Sequence, residues 1–528
     1  MKRILTSLIA VLAITNLEAQ QKAPKLVVCI TVDQLRGDYI QYFQSYFGQR
    51  GFKRLFNEGL VYDNVLFEFS NLNEGSTMAT LFTGSNPNYN GITTAQWYDI
   101  EKKKEISALN DPEYLGNFTS ENLSPKNLLS STIGDELKIA SRGNSDVYSI
   151  APNAISAIIS AGHAANGAFW IDDYKGKWAT TTYYKNVPWY VEKYNNSNES
   201  LPTRAETMTW SPALPIEQYN AFCYSATEAP FKYSFNSKIA NRFLNYKTSA
   251  LVNDEVTTLA KRFLEFGGLG KRTCPDYLAV TYYAGNYRKA LDKDYSIEIQ
   301  DTYRKLDQNI ESLLDAIDKS VGLANTLVVF TGNGYYHTEE DPTQSIANGA
   351  GEFHPKRCKA LLNMYLMATY GQGDWVKEFN DNQIFLNRKL AEDKKLNLAE
   401  LQRKAADFVQ QFTGIQQVVT SYELQNGDWN QMSANMLNGT HHLKRGDLLI
   451  ELQPGWRINY EEFNKANNIV KNYAVPTPLV LLGSGIKAEQ TRREIKATEV
   501  APTVTHILRI RAPNACKKLP LREVSNYR

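Results

Sequence analysis

Four stretches of the chain are apolar almost without interruption: 25–33 (KLVVCITVD), 276–283 (DYLAVTYY), 325–333 (NTLVVFTGN) and 477–485 (TPLVLLGSG). Short apolar runs without alternation predict strands buried on both faces of a sheet. Between the second and third, apolar or aromatic residues fall at 303, 306, 310, 313, 314, 317 and 321, the spacing of a helix with one buried stripe. Strand, amphipathic helix and strand in succession form a βαβ unit. The pattern therefore predicts an α/β fold, an αβα sandwich around a central, mostly parallel sheet. In such sheets functional groups gather at the carboxyl ends of strands, where Asp33 and the turns after 281 and 331 converge. Two segments, near 173–250 and 370–440, break the rhythm and are rich in Tyr, Asn and Trp. They are expected to be caps inserted into a single domain spanning 21–528.

The start of the chain has a different pattern. Residues 1–20 carry Lys2 and Arg3, an apolar run from Ile4 to Ile14 and a small Ala19 near a plausible cut, the layout of a secretory signal peptide. The run is too short for a membrane span, and no later stretch approaches the roughly 20 apolar residues such a helix needs. The expectation is an exported protein, periplasmic, outer-membrane-associated or extracellular.

Composition narrows the classes further. A content of 43% hydrophobic residues, with 31 Tyr and 22 Phe, supplies a folded core rather than a disordered chain. A net charge of +2 lacks the concentrated basic field of a nucleic-acid binder, so nucleic acid is not expected as a partner. The five cysteines (29, 223, 274, 358, 516) are scattered without metal-ligand spacing. Cys29 lies within an apolar run and reads as a small core residue; any disulfide pairing is left open.

The stretch 71–92 (NLNEGSTMATLFTGSNPNYNGI) reads as a loop entering a buried helix. With VDQLRGDY (32–39), WYD (97–99), GHAANGAFWID (162–172), YRKLDQNIESLLDAID (303–318), RGDLLIELQPGW (445–456) and LLGSGIKAEQTRREIKATEVAPTVTHIL (481–508), it resembles the alkaline phosphatase superfamily. The resemblance is to the secreted, monomeric, phosphate-irrepressible branch related to nucleotide pyrophosphatases/phosphodiesterases. It covers the chain from the mature amino terminus to the carboxyl terminus.

That resemblance implies two zinc ions held by six Asp and His ligands, and a Thr or Ser nucleophile phosphorylated in passing. Residue by residue, the match is incomplete. Asp33 retains the first ligand. The nucleophile position, nine residues before Thr83, falls on Glu74, a carboxylate that would repel a phosphate. Ser76 and Thr77 are close by, with helix capping their expected use. The second ligand pair falls on Tyr282 and Asn286, the third on Asn333 and Gly334, and the last His on Pro476. The phosphate-clamp Lys and Arg fall on Ala151 and Asn153, and the clamp Asn on Ala95. Of the six histidines, only His337 and His354 are free candidates near site loops, too few to rebuild a two-zinc centre.

The resemblance so read implies a catalytically inactive member: an exported pseudophosphatase that keeps the fold and serves as a binding or scaffold subunit of a bacterial envelope assembly, with no cofactor expected. Asp33 would then accept backbone amides and Glu74 would cap the old helix start. The alternative is an active alkaline phosphatase or phosphodiesterase with two zinc ions. A single Ca²⁺ or Mg²⁺ on the two carboxylates, or an unrelated hydrolase built on Glu74, are lesser options.

Overall fold

The structure is a computed structural model that describes residues 23–99, 102–220, 230–289, 295–336, 351–427, 430–460 and 475–524. The expected signal peptide, Cys223 and His337 lie outside the described residues.

The elements that position the site are β1 (Leu26–Asp33), α1 (Glu74–Thr83), α2 (Pro87–Asn90), β2 (Val147–Ala151), α3 (Ala154–Ala161) and β3 (Gly167–Ile171), followed by α4 (Leu251–Phe266), β4 (Asp276–Tyr283), α5 (Ser296–Ser320), β5 (Thr326–Gly332), α6 (Gln431–Gly439) and β6 (Leu479–Gly483). The main sheet has ten strands among the described residues, and its centre runs β6-β5-β1-β4-β2-β3. From β5 to β3 the pairing is parallel throughout. All eight residues of β1 are buried, as an apolar run with no alternation requires. Leu26, Val28, Ile30 and Val32 face the layer of α4 and α5; Val27 and Cys29 face that of α1 and α3. The predicted stripe of α5 is buried from Tyr303 to Ile317. The α/β sandwich is therefore as expected.

The sheet is mostly, not wholly, parallel. The run at 477–485 forms β6, which pairs antiparallel to β5. An apolar run reports burial on two faces and carries no information about strand direction.

The segment that follows β3 is bound into the main body. Trp178–Thr181 extends the main sheet, and Tyr190, Trp210, Phe235 and Tyr246 join the core on the α4/α5 face. Farther on, a separate four-stranded antiparallel sheet (Val376–Asn380, Gln383–Leu386, Leu448–Leu452, Ile415–Thr420) has its own core around Leu362, Trp375 and Ile450.

Helix α1 starts at a capping box: Ser76 N donates to Asn73 Oδ1 at 3.1 Å while Ser76 Oγ accepts from Asn73 N at 3.2 Å. Thr77 Oγ1 donates back to Asn73 O at 2.7 Å. The helix stops at Gly84, whose φ of +65° is the left-handed conformation glycine adopts without strain. Residues 75–83 are all buried, so α1 is a core rod with only its first residue at the sheet edge.

Candidate functional site at the strand carboxyl ends

Parallel register brings the strand ends level: Asp33 pairs with Tyr283 of β4, and Val32 pairs with Gly332 of β5. Asp33 is 2% exposed. Its Oδ1 accepts from Asn333 Nδ2 at 2.6 Å and Tyr335 OH at 2.7 Å, and its Oδ2 has no partner among the described residues. Burial pushes the Asp33 carboxyl up to about 6, with the nearby charge of Glu74 adding to the rise. Lys289 and the two donors pull it partly back. The expected backbone-amide partners are not those observed: neutral side chains from the β5 turn hold this carboxylate.

Glu74 is the first residue of α1 and does not cap it; Asn73 does. Glu74 instead faces the start of α3. Asn153 Nδ2 reaches both carboxylate oxygens at 3.1 Å, and Ser156 Oγ donates to Oε1 at 2.7 Å. Asn153 is the N-cap of α3, yet its side chain makes no capping bond and turns to Glu74. The carboxylate thus sits at two helix amino termini, where the peptide dipoles favour negative charge.

Tyr282 is not at this edge. Its side chain packs in the α4/α5 layer, its hydroxyl 2.8 Å from Thr257 Oγ1. Tyr283, one residue on, shares Asp33's side of the sheet, where the charges of Asp33 and Glu74 join burial in pushing its phenol far up. Asn286 is buried; its Oδ1 accepts from Tyr336 OH at 3.0 Å, while its Nδ2 has no partner among the described residues. Asn333 bridges the site, since its Oδ1 also accepts from Gln34 N at 2.9 Å. Gly334 has φ +74°, and a Cβ there would stand 2.2 Å from the ring of Phe67. A histidine at this position would need a rare backbone conformation and the displacement of an aromatic ring.

The remaining positions stand apart from the two carboxylates. Pro476 is exposed, its carbonyl accepting from Gly37 N at 2.7 Å. Ala151 is buried at the end of β2, and Ala95 is half-buried with its backbone N against Gly75. His354 caps a helix of the second sheet's unit, 3.7 Å from Glu352.

The donor set can be tested against a two-zinc centre. Among the described residues, no three His, Cys, Asp or Glu side chains stand close enough to hold a metal ion. What the site presents is two carboxylates, Asp33 held by an amide and a phenol and Glu74 held by an amide and a hydroxyl, with the amide of Asn286 and tyrosine hydroxyls whose protons burial retains. Zinc selects imidazole, thiolate and carboxylate. The residues present do not fit the pair of ions.

The sequence reading missed Lys289, Ser156, Tyr335 and Phe67. Ser156 follows Asn153 by three residues, the spacing that puts both on one end of α3, and Tyr335 lies two residues after Asn333, so local signals existed for both. Lys289 follows Arg288, and both have positive φ, a conformation with no counterpart in residue pattern. Lys289 supplies a nearby positive charge that favours the ionised Asp33.

Comparison with known proteins places this geometry. The type I phosphodiesterase / nucleotide pyrophosphatase family matches residues 27–475. The alkaline phosphatase PafA of Elizabethkingia meningoseptica is 28% identical over 98% of this chain and 98% of its own length. A protein of Myroides odoratus named calcium-transporting ATPase is 30% identical, covering 97% of this chain and 96% of its own. The crystal structure of wild-type PafA superposes with a TM-score of 0.84 at 27% identity, covering 95% of this chain and 99% of that one.

Proposed function

The chain belongs to the type I phosphodiesterase / nucleotide pyrophosphatase family, and we propose that within it this protein is a non-hydrolysing member, an exported pseudophosphatase acting as a binding or scaffold subunit in the cell envelope. The observation that carries the reading is the bonding of Glu74. At the place where the resemblance puts the phosphoryl acceptor, a carboxylate accepts three hydrogen bonds from Asn153 and Ser156 between two helix starts. The protein supplies its own anion where an external phosphate would need donors. An entering phosphate would meet that charge, and Asp33 beyond it, with Lys289 as the nearby cation.

The test is elemental and kinetic analysis of one preparation. The expected result is zinc well below one equivalent and no turnover of an aryl phosphate or a phosphodiester. About two equivalents of tightly held zinc with hydrolysis would overturn the reading. A subunit role is tested by gentle affinity purification from the native envelope, in which a stable protein partner is expected; recovery of the free monomer alone counts against it.

A second reading, an active zinc-dependent phosphatase, is supported by the near full-length match to PafA, a protein named as an alkaline phosphatase. It requires ligands to come from residues outside those described, and the same zinc measurement separates the two.

A further inference from the structure

A different face of the molecule, at the other end of α1, carries an unassigned feature. Residues 75–98, 122–134, 429–446 and 500–522 contain no Asp or Glu, yet they hold eight Lys or Arg in a chain whose net charge is only +2. The fold brings parts of all four together around the four-residue helix α2. Leu129 N donates to Asn90 O, and the Leu129 side chain lies against Gly91. Lys444 Nζ donates to Gly91 O at 2.8 Å and stands 3.5 Å over the Trp97 ring. Lys517 Nζ lies 3.9 Å over the Tyr89 ring, and Asn514 ties its segment to Ser131.

The apolar side chains here are displayed rather than buried. Leu443 is 79% exposed and Leu519 is 81% exposed; Leu129 and Tyr89 are about half exposed. Leu443 is adjacent to Lys444 and Leu519 is two residues from Lys517, the two lysines anchored around α2. Lys444, Arg445, Lys517 and Lys518 make no ion pair with any described residue. Beneath them, Arg445 Nη1 is buried without a hydrogen-bond partner among the described residues and adds positive potential from below, whereas burial and the neighbouring cations push the His441 imidazole down to about 4 and leave it neutral. The cations nearest the acidic edge of this surface are different: Lys126 stands 3.6 Å from Asp111, and Arg511 pairs with Glu136.

We propose that this face docks on an anionic lipid surface, with Leu443 and Leu519 entering the headgroup boundary and the exposed Lys517 and Lys518 meeting the negative headgroups. Single exposed leucines next to lysines, on segments that themselves carry no carboxylate, suit a charged interface into which short apolar tips sink. A protein partner would more commonly be offered a continuous apolar surface with a polar rim. No described helix is long and apolar enough to cross a membrane, so the contact would be peripheral. The inference does not depend on whether the strand-end site hydrolyses phosphate.

The experiment is co-sedimentation of the mature chain with phosphatidylglycerol/phosphatidylcholine vesicles and with pure phosphatidylcholine vesicles. Binding is expected only to the anionic vesicles, falling steeply with salt. Two variants, Leu443→Asp/Leu519→Asp and Lys517→Glu/Lys518→Glu, should each lower the partition coefficient about tenfold or more. Both alter exposed side chains, and unchanged thermal unfolding confirms that the fold is kept. Equal binding to neutral vesicles, no sedimentation at low salt, or sedimentation unaffected by both variants would each overturn the proposal. Retention on a soluble acidic polymer without vesicle binding would also overturn it, in favour of a polyanion partner.

Discussion

The two ends of α1 handle charge in opposite ways. At its amino end, Glu74 and Asp33 are enclosed by neutral donors: an asparagine and a serine for one, an asparagine and a tyrosine for the other. Past its carboxyl end, around α2, Lys517 and Lys518 stand exposed and Lys444 half-buried, none paired with a described carboxylate, and Leu443 and Leu519 are exposed. The first region is solved internally, each acid being answered by the chain itself. The second is left for something outside the chain to answer. A buried polar cluster whose members are mostly bonded to one another is costly to disturb, even with Asp33 Oδ2 and Asn286 Nδ2 unpartnered among the described residues. An exposed, one-signed patch costs the fold little and attracts opposite charge over a Debye length.

The sharpest way to break this contrast is at Gly334. Gly334→His should destabilise the protein by at least about 3 kcal/mol, because it imposes positive φ on a bulky residue and drives Phe67 from its place. Chemical denaturation measures it, and a neutral result would mean the edge is looser than its packing implies. Asn333→Ala comes next, at roughly 3 kcal/mol, since it removes a donor from buried Asp33 and the acceptor of Gln34 N together.

Asp33→Asn sharpens the contrast through pH. The folded protein holds the Asp33 proton up to about 6, against an ordinary 3.8, so the protonated form favours the fold. Its contribution is complete below about pH 4 and is lost as pH rises through about 6. Unfolding free energy of the parent should therefore drop by about 2 kcal/mol across that window relative to Asp33→Asn, measured by denaturant titration at several pH values. Parallel profiles would show that the carboxylate is better solvated than its burial implies. The smallest effect belongs to the other region: Leu443→Asp should change stability by less than about 0.5 kcal/mol while reducing vesicle binding.

The parts of the fold set by burial were readable from residues. Uninterrupted apolar runs located β1, β4 and β5, and the helical stripe located α5, because two-face burial and helical periodicity leave direct traces. Direction left none, and β6 runs against its neighbour. At the site, motif spacing identified Asp33, Glu74, Asn153 and Asn333, all of which meet in two adjoining bonded groups. It misassigned Tyr282 because neighbouring residues on a strand face opposite ways, and only the register with β1 tells which tyrosine shares Asp33's side. Glu74's dependence on α3 was invisible because the helices that meet there are nearly eighty residues apart. Lys289 was invisible because its position follows from two consecutive left-handed residues.

The contact between Gly334 and Phe67 also couples the two positions. If a metal-binding histidine once stood at 334, the ring could fill that space only after the side chain had gone; once it had, simple reversal was closed. A route back to histidine must first shrink Phe67, a change that by itself leaves a gap and offers no ligand. The glycine is in that sense locked in place: each single step toward a histidine is a step down in stability, and only the pair taken together could seat that side chain.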